Sequence, residues 1–158
     1  MWPFEKPQVT IGPMRSDHAA FAAKLHSASF AHGWSEDEIR RMLSNSGCVG
    51  CVAVEPKSRK PLGFVLAQCA ADEAEILTIA VAANARKLGI GQSLLRHEIP
   101  TLVAKGVRSL FLEVDRNNQV ALKLYNKFGF TEVGQRPGYY RLADGTTATA
   151  LILRATIG

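Results

Sequence analysis

Six consecutive residues, Arg86-Lys87-Leu88-Gly89-Ile90-Gly91, place two cations just before two glycines. They follow an apolar strand-like run and open a helix-like pattern. Glycine lets a backbone approach a ligand closely, and the unpaired N–H groups of a helix start attract phosphate. Arg86 and Lys87 add positive charge. The chemistry this pattern suits is pyrophosphate binding, although an ordinary turn also needs glycine. It is neither of the common nucleotide motifs. No Lys-Ser/Thr follows Gly91, and residue 94 is Leu where a third glycine would fall.

Two protic side chains lie downstream. Glu113 sits among apolar residues in Leu110-Phe111-Leu112-Glu113-Val114. Such a carboxylate could act as a general base, or could be a strand-surface glutamate or half of an ion pair. Tyr125 follows Leu124; it could donate a proton, or pack as a half-buried helix tyrosine. Cys48 and Cys51 form a C-x-x-C, but no second pair or nearby His completes a metal set. Residues three apart on a strand point to opposite faces, so both are expected to be buried structural thiols and no metal is expected. His18, His26, His32 and His97 are scattered, and each reads as a surface or core-edge residue.

The elements that must position these groups are legible from periodicity and turn chemistry. Ser16 can cap a helix carrying Phe21, Leu25 and Ala28 on one face. Ser35-Glu36-Asp37-Glu38 is a capping box followed by Ile39, Met42 and Leu43 at helical spacing. Residues 31–34 link the two helices. Strands are expected over 48–54, 62–70 and 75–81, the first two joined by a Pro- and Lys-rich turn. A helix begins near Gly91 with Leu94, Leu95, Leu102 and Val103 inward. Pro100 should bend or shorten it, and Gly106 ends it. A strand over 109–114 turns Leu110, Leu112 and Val114 one way and Phe111 and Glu113 the other. Asn117 can cap a helix bearing Val120, Ala121, Leu124 and Phe128, and strands over 131–136 and 147–153 close the chain. This order is mixed α/β with a strand–helix–strand–helix unit at its centre.

The chain has 158 residues, which suits a single domain over 1–158. Apolar residues make up 47% and charged residues 21%, a globular balance rather than a disordered one. A net charge of +5 favours anionic partners, yet no run of more than two Lys or Arg offers a nucleic-acid arm. No apolar run reaches the roughly 18 residues a bilayer span needs, and the first residues do not read as a signal peptide. A cytoplasmic protein that binds neither membrane nor nucleic acid is the resulting expectation.

The Arg86-x-x-Gly89-x-Gly91 that follows Ile79-Ala80-Val81 resembles the acetyl-CoA signature of the GNAT superfamily. The block Leu112 to Asn118, continuing to Ala121, Leu124-Tyr125 and Gly129-Phe130, resembles that superfamily's second motif. Trp34-Ser35, Arg136 and Tyr139-Tyr140 look like its ribosomal-protein-alanine N-acetyltransferase type, the RimI type. Two features differ from that type: Gly33 stands where Pro is common, and the residues after Gly145 lack acids.

The resemblance implies a mixed, mostly antiparallel sheet flanked by helices, with a splayed parallel strand pair forming an acetyl-CoA cleft. It implies that Ile79, Ala80 and Val81 pair with the cofactor's pantetheine arm, the Val81 N–H facing the thioester oxygen. Arg86, Lys87, Leu88, Gly89, Ile90, Gly91 and Gln92 would cradle its pyrophosphate, and Asn118 would contact the arm. Glu113 would be the base, through a water, and Tyr125 the acid. Glu75 is a reserve carboxylate. Trp34, Tyr139 and Tyr140 would meet the acceptor, although the two tyrosines could equally be strand packing. The acceptor implied is a protein N-terminal α-amine, with the alanine of a ribosomal small-subunit protein as one candidate. An α-amine titrates ~2.5 units below a lysine, which makes it about 3.4 kcal/mol easier to deprotonate. A lysine or small-amine acetyltransferase and a non-catalytic acyl-CoA-binding module are the alternatives.

Overall fold

Alternating apolar runs and capped helices produce eleven main elements in a computed structural model that describes residues 9–30, 33–86, 88–141 and 144–158. In chain order they are β1 (Thr10–Pro13), α1 (Ala19–Ser29), α2 (Glu36–Ser44), β2 (Cys48–Val54), β3 (Pro61–Ala70), β4 (Glu73–Val81), α3 (Ile90–Ala104), β5 (Ser109–Asp115), α4 (Gln119–Lys127), β6 (Thr131–Arg141) and β7 (Thr147–Thr156). The strands form one sheet in the order β1-β2-β3-β4-β5-β7-β6. The β1–β2, β2–β3, β5–β7 and β6–β7 pairs are antiparallel, and β4–β5 is parallel. The mixed, mostly antiparallel sheet expected from the sequence is therefore present. The parallel register runs from Glu73 opposite Ser109 to Ile76 opposite Leu112, and both strands continue past it. No helix of the described residues is long and apolar enough to cross a membrane.

The chain divides into two compact units. One takes the residues up to Gln68 together with Leu77–Thr101. Its core gathers Met14, Ala22, Leu25, Ile39, Phe64 and Leu66, with Phe21, Trp34 and Met42 packed against it. The Ser35 cap forms as expected: its Oγ accepts the Glu38 N–H at 3.1 Å. Ser16 does not cap α1. Ser16–His18 take a tighter 3-10 turn in which His18 Nδ1 accepts the Arg15 N–H at 2.9 Å, so the α-helix starts at Ala19. Its buried stripe is Ala19, Ala22, Leu25 and His26, and Ala28 faces solvent.

Pro100 lies inside α3, which runs on to Ala104. Leu94, Leu95 and Leu102 are fully buried on either side of it, and that packing outweighs one lost backbone donor. Gly106 ends the helix with φ +91°, the Gly106 N–H bonding Val103 O at 2.9 Å and the Val107 N–H bonding Leu102 O at 3.1 Å. This double bond to the last turn is the usual glycine-terminated helix end. Val103 is 39% exposed rather than inward, and Glu98 occupies the buried stripe instead.

The second unit comprises Cys69–Ile76 and Leu102–Gly158. In β5, Leu110, Leu112 and Val114 are buried while Phe111 and Glu113 are half-buried, the alternation expected from the sequence. The α4 cap is Asn118, whose Oδ1 accepts the Ala121 N–H at 3.1 Å, and not Asn117. Asp115 Oδ1 takes the Asn117 N–H at 2.8 Å, so the turn uses one more residue before the helix begins. Val120 is 82% exposed, and Tyr125 is the buried residue of α4.

Candidate active site

The candidate phosphate loop lies in the first unit. After β4, Ala82 N–H bonds Leu62 O at 2.8 Å and a 3-10 turn spans Ala83–Ala85. The Arg86 Nε donates to Val81 O at 3.3 Å, tying the loop's cation to the end of the strand. Gly89 has φ +75°, a conformation that side-chain-bearing residues reach only with strain. Its carbonyl accepts from both the N–H and Oγ of Ser93, at 3.0 and 3.1 Å, which starts α3. Leu88, Gly91 and Gln92 are half-buried and Ile90 is buried. Lys87 lies outside the described residues. Behind the loop, Ala80 is buried and Ile79 and Val81 half-buried. A Cβ on Gly63 would come within 2.9 Å of Ala80 O, so glycine there permits a close approach to this stretch of β4. The sequence reading did not single out Gly63.

Trp34 belongs to the same unit and is held by His26. The two rings stack at 4.2 Å and 12°, and Phe30 covers the imidazole at 4.4 Å. The Trp34 N–H donates to His26 Nδ1 at 3.1 Å, which requires an unprotonated Nδ1. Burial holds the imidazole below its ordinary pKa, partly opposed by Glu38. His26 is 4% exposed, a buried ring rather than the surface or core-edge residue expected.

A second buried pair in this unit comes from elements far apart in the chain. Cys51 on β2 is 1% exposed, and its thiol points toward Leu94 O at 3.8 Å. Burial first, and then Glu98, push the thiol well above its usual range, so Cys51 is the structural thiol expected. Glu98 is also 1% exposed, and neither carboxyl oxygen has a hydrogen bond of good geometry. Burial pushes it up to about 8, eased in part by the Cys51 thiol. Cys48 is half-buried, and among the described residues no three His, Cys, Asp or Glu side chains could hold a metal ion.

The proton-handling candidates lie in the second unit. Glu113 projects from β5 with its side chain 17% exposed, and its Oε1 pairs with Arg136 Nε at 3.1 Å. The Arg136 guanidinium lies 5.3 Å over the Tyr139 ring. Tyr125 is 6% exposed on α4, its ring edge-on to Phe130 at 5.7 Å. Asn118 spends its Oδ1 on the helix cap. Glu75 is exposed on β4, opposite Phe111 in the parallel register. Tyr139 is 52% exposed, and the side chain of Tyr140 lies outside the described atoms. The sequence placed Glu113 and Tyr125 correctly on a strand and a helix. It offered the ion pair of Glu113 only as one option among three.

The sheet order and the glycine loop that opens α3 after β4 accompany membership of an acyltransferase family. The chain belongs to the GNAT acetyltransferase family, whose model, described as "Acetyltransferase (GNAT) family", matches residues 16–130. It is an N-acetyltransferase. Among its relatives is the [ribosomal protein bS18]-alanine N-acetyltransferase of Escherichia coli (strain K12), 32% identical over 136 residues that cover 86% of this chain and 90% of that one. The enzyme of the same name from Salmonella typhimurium (strain LT2) is 40% identical over the same shares. The crystal structure of the ribosomal-protein-S18-alanine N-acetyltransferase from Escherichia coli superposes with a TM-score of 0.87 at 29% identity, covering 96% of this chain and 95% of that one. Arabidopsis thaliana NAA60 in complex with acetyl-CoA shares the fold, with a TM-score of 0.81 at 20% identity over 95% of this chain and 99% of that one.

Proposed function

We propose that this protein transfers an acetyl group from acetyl-CoA to the α-amine of a protein N-terminus, and that the N-terminal alanine of a ribosomal small-subunit protein is its acceptor in the cytoplasm. The observation that supports this reading is the 32–40% identity, over most of both chains, to enzymes named for that reaction. The loop geometry fits the donor. Gly89 at φ +75° and the start of α3 at Ile90 offer backbone N–H groups to a pyrophosphate, and the exposed Arg86 supplies charge. Ile79, Ala80 and Val81 hold the pantetheine arm, and the Asn118 amide reaches it.

Acetyl-CoA supplies a thioester carbonyl that a neutral amine can attack. The chain's own residues manage protons. Glu113 accepts one from the acceptor's ammonium group, through a water, which leaves the nitrogen lone pair free to form the new C–N bond. As the C–S bond breaks, the Tyr125 hydroxyl gives its proton to the sulfur and regains one from the acylated nitrogen. An α-amine suits a single carboxylate base, because a lysine would add about 3.4 kcal/mol of deprotonation. Trp34, Tyr139 and Tyr140 contact the acceptor.

The test is acetyl transfer read by mass spectrometry on an alanine-led basic peptide with one internal lysine, and on its N-terminally blocked twin. Label on the free terminus alone is the expected result. Label on the lysine of both peptides would make the protein a lysine acetyltransferase. Bound acetyl-CoA with no label on either would turn the search toward small amines or a binding-only role.

A further inference from the structure

Residues three apart on a regular strand point to opposite faces, yet the Arg136 guanidinium sits 5.3 Å over the Tyr139 ring. The reason is a bulge. Arg136 is opposite Ala150 and Tyr140 is opposite Ala148, so four steps along β6 meet two along β7. Pro137 and Gly138 fill the excess, with Gly138 at φ +69°. Proline tolerates the missing ladder bond and glycine the left-handed backbone. Bulges of this kind re-aim side chains and are frequent beside active sites.

The same register brings Arg136 to Glu113. Glu113 is opposite Ile152 on β7, and Arg136 is opposite Ala150, two residues along. Both side chains therefore stand on one face, with a strand between them, a span of about 10 Å that an arginine and a glutamate can bridge. The contact engages Oε1.

We propose that Arg136 is a positioning residue for acetyl transfer: it orients the Glu113 carboxylate through Oε1 and links that carboxylate to the acceptor-facing ring of Tyr139. The inference rests on the reading of Glu113 as the base. With Oε1 held, Oε2 is the atom that takes the ammonium proton and later returns it to solvent, while Arg136 keeps its own proton throughout. A half-exposed ion pair contributes little to stability, so its value lies in geometry. An acceptor that stacks on Tyr139 and the carboxylate that deprotonates it are then set by one side chain.

The experiment uses one peptide made with an ordinary α-amine and again with an aminooxy head, which is neutral at pH 7 and needs no base. Variants are Arg136→Gln, Arg136→Lys and Glu113→Gln. Arg136→Gln is expected to lower kcat on the amine peptide roughly 10- to 100-fold and leave kcat on the aminooxy peptide unchanged, with any loss of Tyr139 stacking appearing as a higher KM for both. Arg136→Lys should recover part of the loss, because it restores the charge without the planar fork. Wild-type kcat for Arg136→Gln on the amine peptide would overturn the proposal. Equal loss of kcat on both peptides would also overturn it, by showing a structural role. Glu113→Gln separates the two ideas: full activity in that variant removes the base assignment, whatever Arg136 does.

Discussion

The Trp34 backbone N–H donates to His26 Nδ1 at 3.1 Å while the two rings stack 4.2 Å apart. One buried imidazole thus fixes both the main chain and the indole of a residue proposed to meet the acceptor. Because His26 titrates below its ordinary value of 6.5, the neutral ring favours folding, and that contribution is lost as pH falls from about 6.5 through the folded value. His26→Phe keeps a ring in the stack but removes the acceptor. It should cost about 1–3 kcal/mol, because a partly buried N–H is left unpaired. It should also flatten the acid side of the stability curve. Urea unfolding of both proteins from pH 5 to 7 checks this, and parallel curves would remove His26 as the titrating group.

Glu98 runs the other way. Its folded value of about 8 stands above the ordinary 4.5, so the folded state holds a proton that the unfolded state releases. Stability is then fully present below about 4.5 and lost as pH rises through 8. The loss amounts to about 3 kcal/mol by pH 7 and about 5 kcal/mol in the alkaline limit. Glu98→Gln cannot ionise and should abolish the alkaline slope. Denaturant midpoints between pH 5 and 9 measure it; an unchanged slope in the variant would place the titration elsewhere.

Gly89→Val should eliminate measurable acetyl-CoA binding by calorimetry. A β-branched residue at φ +75° is strained by about 1–2 kcal/mol and would put methyl groups where the phosphate approaches. An affinity equal to wild type would mean that the loop binds no phosphate.

Glu113→Gln and Tyr125→Phe should each slow turnover by roughly 10²- to 10⁴-fold with little change in acetyl-CoA affinity. Each removes a group proposed to transfer a proton and keeps the side chain's size. Steady-state kinetics paired with calorimetry separates the two effects. Wild-type turnover in either variant would withdraw that residue's role.

Local chemistry made much of the fold legible. The strand over 48–54 and the Ser35 cap are set by residues adjacent in sequence, and both form as read. Helix edges were less legible where two caps competed. Asn117 and Asn118 are chemically identical, and only the Asp115 side chain, by taking the Asn117 N–H, decides between them. Val103, expected inward, is exposed while Glu98 is buried, because helical periodicity cannot say which side of a broad apolar stripe the core will cover.

The sequence by itself determined the family, the glycine loop before α3 and the strand and helix that carry Glu113 and Tyr125. Each of these is written in neighbouring residues, whose spacing and backbone preferences act locally. Only the tertiary structure decided that Arg136 meets Glu113, that His26 holds Trp34, and that Glu98 is buried beside Cys51. Those relationships depend on strand register, a two-residue bulge and the packing of a helix against a sheet. A side chain's partner across such distances is settled by which surfaces are brought together, and no local pattern of residues encodes it.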